Sequence, residues 1–350
     1  MKSLKRDPYF DIVRGFAIIL VVMGHVIQCG MGEPYFINER YYENSLFKII
    51  YSFHMPLFML VSGYFFAIAI SQKSSVDIVK RRIKSLLIPV LVWTLIPFVV
   101  FLLEDAPRAE IFSLQLVRWY INLAKGNLWF LWAVFYNSLI VLLINRFLKD
   151  SVLVYLWVLI LVLFIPDAII MATYKYMYLY FVVAYLFKKN AWSEYLGVIS
   201  AKNRIFLIVT VVLSFGILFK FYNYASYIYT SGVYILRDNP WMQIKINIQR
   251  WLIGMAGSIL VLVLLKYMSE KKWLAKGEKL LAYIGRHSMG VYIVNVYFSN
   301  YILIRLTKNI HFSYAMVLLE TVFSIVICLA IAVLLSKAKW SNKLLLGGRN

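Results

Sequence analysis

Residues 11–29 read Asp11-Ile-Val-Arg14-Gly-Phe-Ala-Ile-Ile-Leu-Val-Val-Met-Gly-His25-Val-Ile-Gln-Cys29. At about 1.5 Å per residue a helix over this stretch is about 28 Å long, close to the roughly 30 Å of hydrocarbon in a bilayer. It is apolar except for a few groups, and Arg14 and His25 lie well inside it. A charged lead-in, MKSLKRDPYF, precedes it and no small-residue cleavage site follows, so the stretch is expected to stay in place as a helix and not to be removed as a signal peptide.

The pattern recurs along the chain. Mostly apolar segments of about 20 residues fall near 11–29, 47–70, 85–103, 128–147, 152–170, 174–187, 205–221, 248–266, 283–303 and 313–335, which makes ten candidate spans. Runs such as VLVYLWVLILVLFIP, from Val152 to Pro166, have no polar face and would not suit a helix on the surface of a soluble protein. Only 15% of the residues are charged and 62% are hydrophobic, where a soluble domain carries roughly 25% charged. The expected fold is all-α, a polytopic membrane bundle of about ten transmembrane helices in a single domain over residues 1–350. There are no repeats, no low-complexity linkers and no extramembrane segment long enough to fold alone. The longest loop, about 222–247, is aromatic-rich and could cover the bundle.

Charge sets the expected orientation. The chain has 37 Lys+Arg against 16 Asp+Glu, a formal net charge of +21. In a polar chain that would suggest nucleic acid, but here the bases are scattered among loops. The amino terminus, the alternate loops at 72–84, 145–151, 187–204 and 266–282, and the carboxyl tail together hold 23 of them, while the opposite side holds 12. Cytoplasmic loops carry the excess of Lys and Arg, so both termini are expected in the cytoplasm, as an even number of spans requires. Cys29 and Cys328 both lie in apolar stretches, and no CxxC, HExxH or glycine-rich phosphate loop occurs. A disulfide framework, a metal site and nucleotide hydrolysis are therefore not expected.

Ionisable groups inside a bilayer are costly and usually mark function. Four stand out: Arg14, His25, His54 and Glu320. Eleven residues at 100° each make three turns plus about 20°, so Arg14 and His25 share one helix face, about 16 Å apart along the axis. By helical rise Glu320 and His25 lie at similar depths, about 10 Å and 6 Å below the same surface, and His54 at a similar level. A carboxylate bonded to one imidazole nitrogen would orient the ring as a general base, so a His25–Glu320 pair is expected. At the opposite face, Arg81, Arg82 and Lys84, with Lys80, form the mouth of the third span. Such a cluster suits the phosphates of a cosubstrate such as coenzyme A.

These residues fall in an order that resembles acyltransferase family three, the integral membrane O-acyltransferases of bacteria and some animals. Arg14 and His25, with ten residues between them, match the spacing of the family's first helix. Phe53-His54-Met-Pro56-Leu-Phe-Met-Leu-Val-Ser62-Gly63-Tyr64 looks like its second helix, Lys80-Arg-Arg-Ile-Lys84-Ser-Leu-Leu-Ile-Pro89 like its third and Asn127-Leu-Trp129-Phe-Leu like its fourth. Tyr283-Ile-Gly285-Arg-His-Ser288-Met-Gly-Val-Tyr292 resembles its late segment. Two departures occur. Arg, two residues, Arg before the third-helix proline is here Arg81 with Lys84 or Arg82 with Ser85, and Asn295 stands where the late segment often has His.

The resemblance implies transfer of an acyl group, commonly acetyl, from cytosolic acyl-CoA to a hydroxyl of a sugar, polysaccharide or lipid-linked glycan. His25 would be the base and Glu320 its partner, while Arg14 with Arg81, Arg82 or Lys84 would hold the donor phosphates. Trp129 would stack on the acceptor sugar and His54 would help to bind it. No tightly bound cofactor is implied. The expected setting is a bacterial cytoplasmic (inner) membrane. The alternative, a transporter or flippase of an anionic substrate, would favour inverted repeats with paired glycine or proline breaks.

Overall fold

The computed structural model describes residues 7–104, 114–167, 171–191, 201–237, 239–273 and 277–348. Among them every regular element is helical. In chain order the main helices are α1 (Pro8–Cys29), α2 (Ser45–Gln72), α3 (Ser75–Arg82), α4 (Ile88–Glu104), α5 (Leu114–Asn127), α6 (Trp129–Phe147), α7 (Val152–Leu163), α8 (Met171–Lys189), α9 (Ala201–Lys220), α10 (Pro240–Glu270), α11 (Glu278–Arg286), α12 (Ser288–Tyr297), α13 (Tyr314–Lys337) and α14 (Lys339–Leu345). Helices dominate because no water is available in hydrocarbon to satisfy a backbone N–H or C=O, and a helix satisfies nearly all of them internally.

Among the described residues seven helical segments are long and apolar enough to cross a membrane: Pro8–Cys29, Ser45–Gln72, Ser75–Leu102, Trp129–Phe147, Pro240–Glu270, Ser288–Leu306 and Tyr314–Lys337. Of the ten expected spans, the fifth, sixth and seventh lie on helices that are not among these seven. The fifth, expected over 152–170, forms a helix only over Val152–Leu163, about 18 Å at normal rise and short of a bilayer core. Residues 168–170 lie outside the described part. The ninth, expected over 283–303, is broken at His287, so Arg286 ends α11 and does not sit within the Ser288–Leu306 span.

Two wide turns interrupt the helices. The Ile88 N–H bonds to the Ile83 carbonyl and the Ile304 N–H to the Ser299 carbonyl, each five residues back. Such π-turns add one residue to a turn, rotate the side chains beyond it and often occur at functional positions. One falls within the basic mouth of the third span and the other lies one turn after Asn295.

The described chain packs as two compact units. The first comprises residues up to Val61, Ala191–Thr230 and Ile246–Leu334. In it α1 packs chiefly on α11, and the reason is visible in two glycines. A Cβ on Gly15 would collide with the Leu281 carbonyl, and one on Gly285 with the Asp11 carbonyl. Small residues let two backbones touch, which in lipid replaces hydrophobic attraction as the source of association. Asp7 begins α1 by accepting a hydrogen bond from the Tyr9 N–H at 3.0 Å, with Pro8 in the first turn.

The second unit comprises Ser62–Asn190, Ser231–Lys245 and Leu335 onward. Gly63 of α2 lies against the Phe181 carbonyl of α8, where a Cβ would collide. The carboxyl tail folds back on α4: Trp93 Nε1 donates to the Leu345 carbonyl at 3.0 Å, and Gly347, at φ +70°, lies on the Ser85 backbone. Asp150, in the loop after α6, pairs with Lys189 and accepts from Tyr155, Tyr185 and Asn145.

Candidate functional site

The first unit brings together three helices around His25. The imidazole Nδ1–H donates to Asn295 Oδ1 at 2.6 Å. With the amide oxygen turned to the ring, this bond uses the tautomer protonated at Nδ1, in which Nε2 keeps its lone pair. Asn295 is fully buried in α12, and its Nδ2 donates to Ser299 Oγ at 3.1 Å. Ser299 belongs to the π-turn, and the Cys328 thiol of α13 lies against the same amide. A buried chain of hydrogen bonds thus holds one tautomer of one imidazole, the arrangement a general base needs.

Glu320 is not in that chain. Its side chain is buried, neither carboxylate oxygen has a hydrogen-bond partner, and it rests on the backbone of Gly30, just past the end of α1. The expected His25–Glu320 pair is therefore corrected: Asn295 occupies the position beside His25. Helical rise places Glu320 at a plausible depth but says nothing about azimuth, and α13 turns this residue toward the α1 terminus. Asn295 was visible in the sequence only as a departure where the family often has His.

His54 lies in the same unit. Its Nδ1 donates to the Ile50 carbonyl one turn back at 2.7 Å, and its ring sits 4.8 Å from that of Tyr51. His54 is buried and close enough to His25 for their charges to interact. Arg14 is about three turns from His25 on α1, with its guanidinium 3.4 Å from the buried carboxylate of Asp11. Because Gly15 and Gly285 lock this half of α1 onto α11, the face carrying Arg14 and His25 is held by backbone contact.

The other expected residues belong to the second unit. Arg81 and Lys84 are exposed and carry no carboxylate partner among the described residues. Arg82 lies 4.9 Å over the ring of Phe66. Ser85 is buried beneath Gly347, so the reading Arg82 with Ser85 leaves one arginine engaged and one covered hydroxyl. Trp129, the first residue of α6, is part-exposed and packs edge-on against Phe130 at 5.9 Å. Lys175, a cation within α8, is satisfied by Asp167 and the Ile165 carbonyl, each at 2.6 Å. Arg250 of α10, in the first unit, is likewise buried on the carbonyls of Ala225, Ser226 and Tyr227. These two anchor loops to helices, the structural use of a buried charge. Burial pushes the Asp150 carboxyl up, but Lys189 and three hydrogen bonds outweigh it and hold its pKa below the usual value.

A family model described as "Acyltransferase domain" matches residues 7–337. Among curated proteins, nodulation protein NolL of Mesorhizobium japonicum is 30% identical over 238 residues, 66% of this chain and 60% of that protein. NolL of Sinorhizobium fredii is 34% identical over 190 residues, 53% of this chain and 50% of that protein. The matched part thus spans half to three-fifths of these curated relatives. No solved structure matches.

Proposed function

Because the chain belongs to acyltransferase family three and is an integral membrane protein, we propose that it transfers an acyl group, most simply acetyl, from acyl-CoA to a hydroxyl of a glycan. The observation that carries this reading is the His25–Asn295–Ser299 chain of hydrogen bonds, which leaves the imidazole Nε2 unprotonated on the helix face it shares with Arg14.

His25 Nε2 takes the proton of the acceptor hydroxyl as that oxygen attacks the thioester carbon. Collapse of the tetrahedral intermediate breaks the C–S bond, and the departing thiolate of CoA takes the proton back from the imidazolium. The products are the acylated glycan and free CoA, and the base is regenerated. Arg14 meets the donor near the amino-terminal end of α1, and Arg81 with Lys84 binds its phosphates through exposed cationic groups. Arg82 contributes charge from its place on Phe66. Trp129 and His54 are assigned to acceptor binding, and Glu320 to a substrate hydroxyl at the far end of α1.

In this reading the helices form one polytopic acyltransferase domain, both termini are cytoplasmic, and the membrane is the bacterial inner membrane. The excess of bases at the termini and alternate loops supports that orientation. The carrier alternative predicts inverted repeats, which the sequence does not show. The test supplies radiolabelled acetyl-CoA and candidate glycans to membranes bearing the chain or its His25→Ala form. Label transfer that depends on His25 supports the enzyme, while CoA-independent glycan flux into sealed vesicles supports the carrier.

A further inference from the structure

The surface of α1 changes character at His25. Toward Arg14 the intervening residues on that face, Ile18 and Val21, are apolar and buried. One turn the other way, Gln28 Oε1 accepts from the Tyr51 hydroxyl at 3.2 Å. Gly24 makes this possible, because a Cβ there would lie 2.7 Å from Tyr51 Cε2, so the ring lies directly on the helix one residue before His25. His25 and Tyr51 are surrounded by protein and yet both keep accessible surface.

From Tyr51 an aromatic ladder leads to the surface of the first unit. Phe47 stacks on Tyr51 at 3.8 Å, Tyr42 meets Phe47 edge-on at 6.0 Å, and Tyr224, which is exposed, meets Tyr42 at 5.2 Å. The ladder is fixed from behind: the Tyr227 hydroxyl donates to the Tyr42 carbonyl at 3.1 Å, and Arg250 holds the Tyr227 segment. Burial pushes the pKa of the Tyr42 phenol up, and its hydroxyl is hydrogen-bonded to that of Tyr41 beside it.

We infer that Gln28, Tyr51 and Tyr42 form the acceptor subsite, which seats a saccharide ring with one hydroxyl directed at His25 Nε2. The inference rests on the acyltransferase reading above and names the residues that would choose its acceptor. A pyranose presents C–H faces, which suit aromatic planes, and a rim of hydroxyls, which suit an amide and phenols. Trp129, expected to be the sugar platform, belongs to the second unit.

The experiment uses the full-length chain in nanodiscs with labelled acetyl-CoA. The acceptors are methyl glycosides of glucose, galactose and N-acetylglucosamine, with glycerol and octanol as non-sugar alcohols. Tyr51→Phe keeps the ring and removes one hydroxyl, while Gln28→Leu keeps the volume and removes the amide. The expected result is a rise of about tenfold in glycoside KM in each variant, the effect of one lost hydrogen bond, with the KM for acetyl-CoA unchanged. Both variants should elute and melt like the parent chain, which separates a subsite from a packing role. Unchanged glycoside KM, or a change confined to acetyl-CoA, overturns the subsite. Transfer to octanol or glycerol but to no glycoside overturns the saccharide class. Absence of any His25-dependent transfer overturns the acyltransferase reading and the subsite with it.

Discussion

Replacing Asn295 by Ala removes the acceptor of the His25 Nδ1–H and leaves the imidazole free to rotate or to move its proton to Nε2. The Asn295 side chain is completely buried and its bond to His25 is 2.6 Å long, so water does not readily substitute for it. An unsatisfied buried donor costs about 1–3 kcal/mol, and loss of the productive tautomer adds to that in the transition state. A combined loss of about 2–4 kcal/mol corresponds to a fall of roughly 30- to 1000-fold in kcat at about 1.4 kcal/mol per decade. The KM for acetyl-CoA should stay within about twofold, because the bonds of Asn295 go to His25 and Ser299 and not to the basic groups assigned to the donor. Asn295→Asp and Asn295→His each restore a nitrogen or oxygen acceptor toward Nδ1 and should recover part of the rate. The assay is steady-state label transfer by detergent-purified protein whose elution profile matches the parent. An Asn295→Ala protein that is well folded and keeps more than half of the parent kcat would refute the claim that this bond sets the tautomer of His25.

Other outcomes follow from the same geometry. Glu320→Gln should reduce transfer by less than Asn295→Ala does, since Glu320 makes no bond to His25, and a larger loss for Glu320→Gln would reverse that order. Arg81→Ala with Lys84→Ala should raise the KM for acetyl-CoA about tenfold or more and flatten its dependence on salt, with kcat little changed; equal KM values across 50–500 mM salt would remove these residues from the donor site. Gly285→Val places a side chain on the Asp11 carbonyl and should prevent α1 from docking on α11, read as aggregation in size-exclusion chromatography, whereas a monodisperse variant would show that the crossing tolerates a Cβ. Asp150 has a depressed pKa, so its contribution to stability is complete above the unfolded value of about 3.8 and is lost as pH falls below it. Melting temperature in detergent should therefore fall between pH 5 and pH 3 in the parent chain and less steeply in Asp150→Asn.

The helices themselves were legible in the sequence, because backbone satisfaction in hydrocarbon leaves few alternatives to a helix wherever about 20 apolar residues run together. Their breaks were not. The interruption at His287 and the short α7 depend on how each segment packs, which hydropathy does not encode. Arg14 and His25 were found because a charge in an apolar run is conspicuous, and their shared face follows from the 100° helical repeat. The partner of His25 was misread for a physical reason: axial depth can be reckoned from sequence, but azimuth on a distant helix cannot, so a carboxylate at the right level was preferred to a neutral amide. Asn295 raises no signal of its own in a hydropathy or charge scan. Tyr51 and Gln28 were hidden in the same way, since an aromatic residue at helical spacing looks like ordinary packing until Gly24 shows where its ring lies.

The pairing of His25 with Asn295 joins residues 270 positions apart, and the glycine crossing of α1 on α11 is of similar range. A chain synthesised at roughly 5–20 residues per second releases the second partner about 15–55 s after the first. During that interval α1 sits in the bilayer with a bare backbone stripe at Gly15, the Arg14 cation and the His25 imidazole all without their final neighbours. Helix α1 is thus made long before it is secured. Membrane proteases and insertion chaperones have that interval in which to bind it, and chains truncated before Gly285 should be recognised and degraded as unassembled.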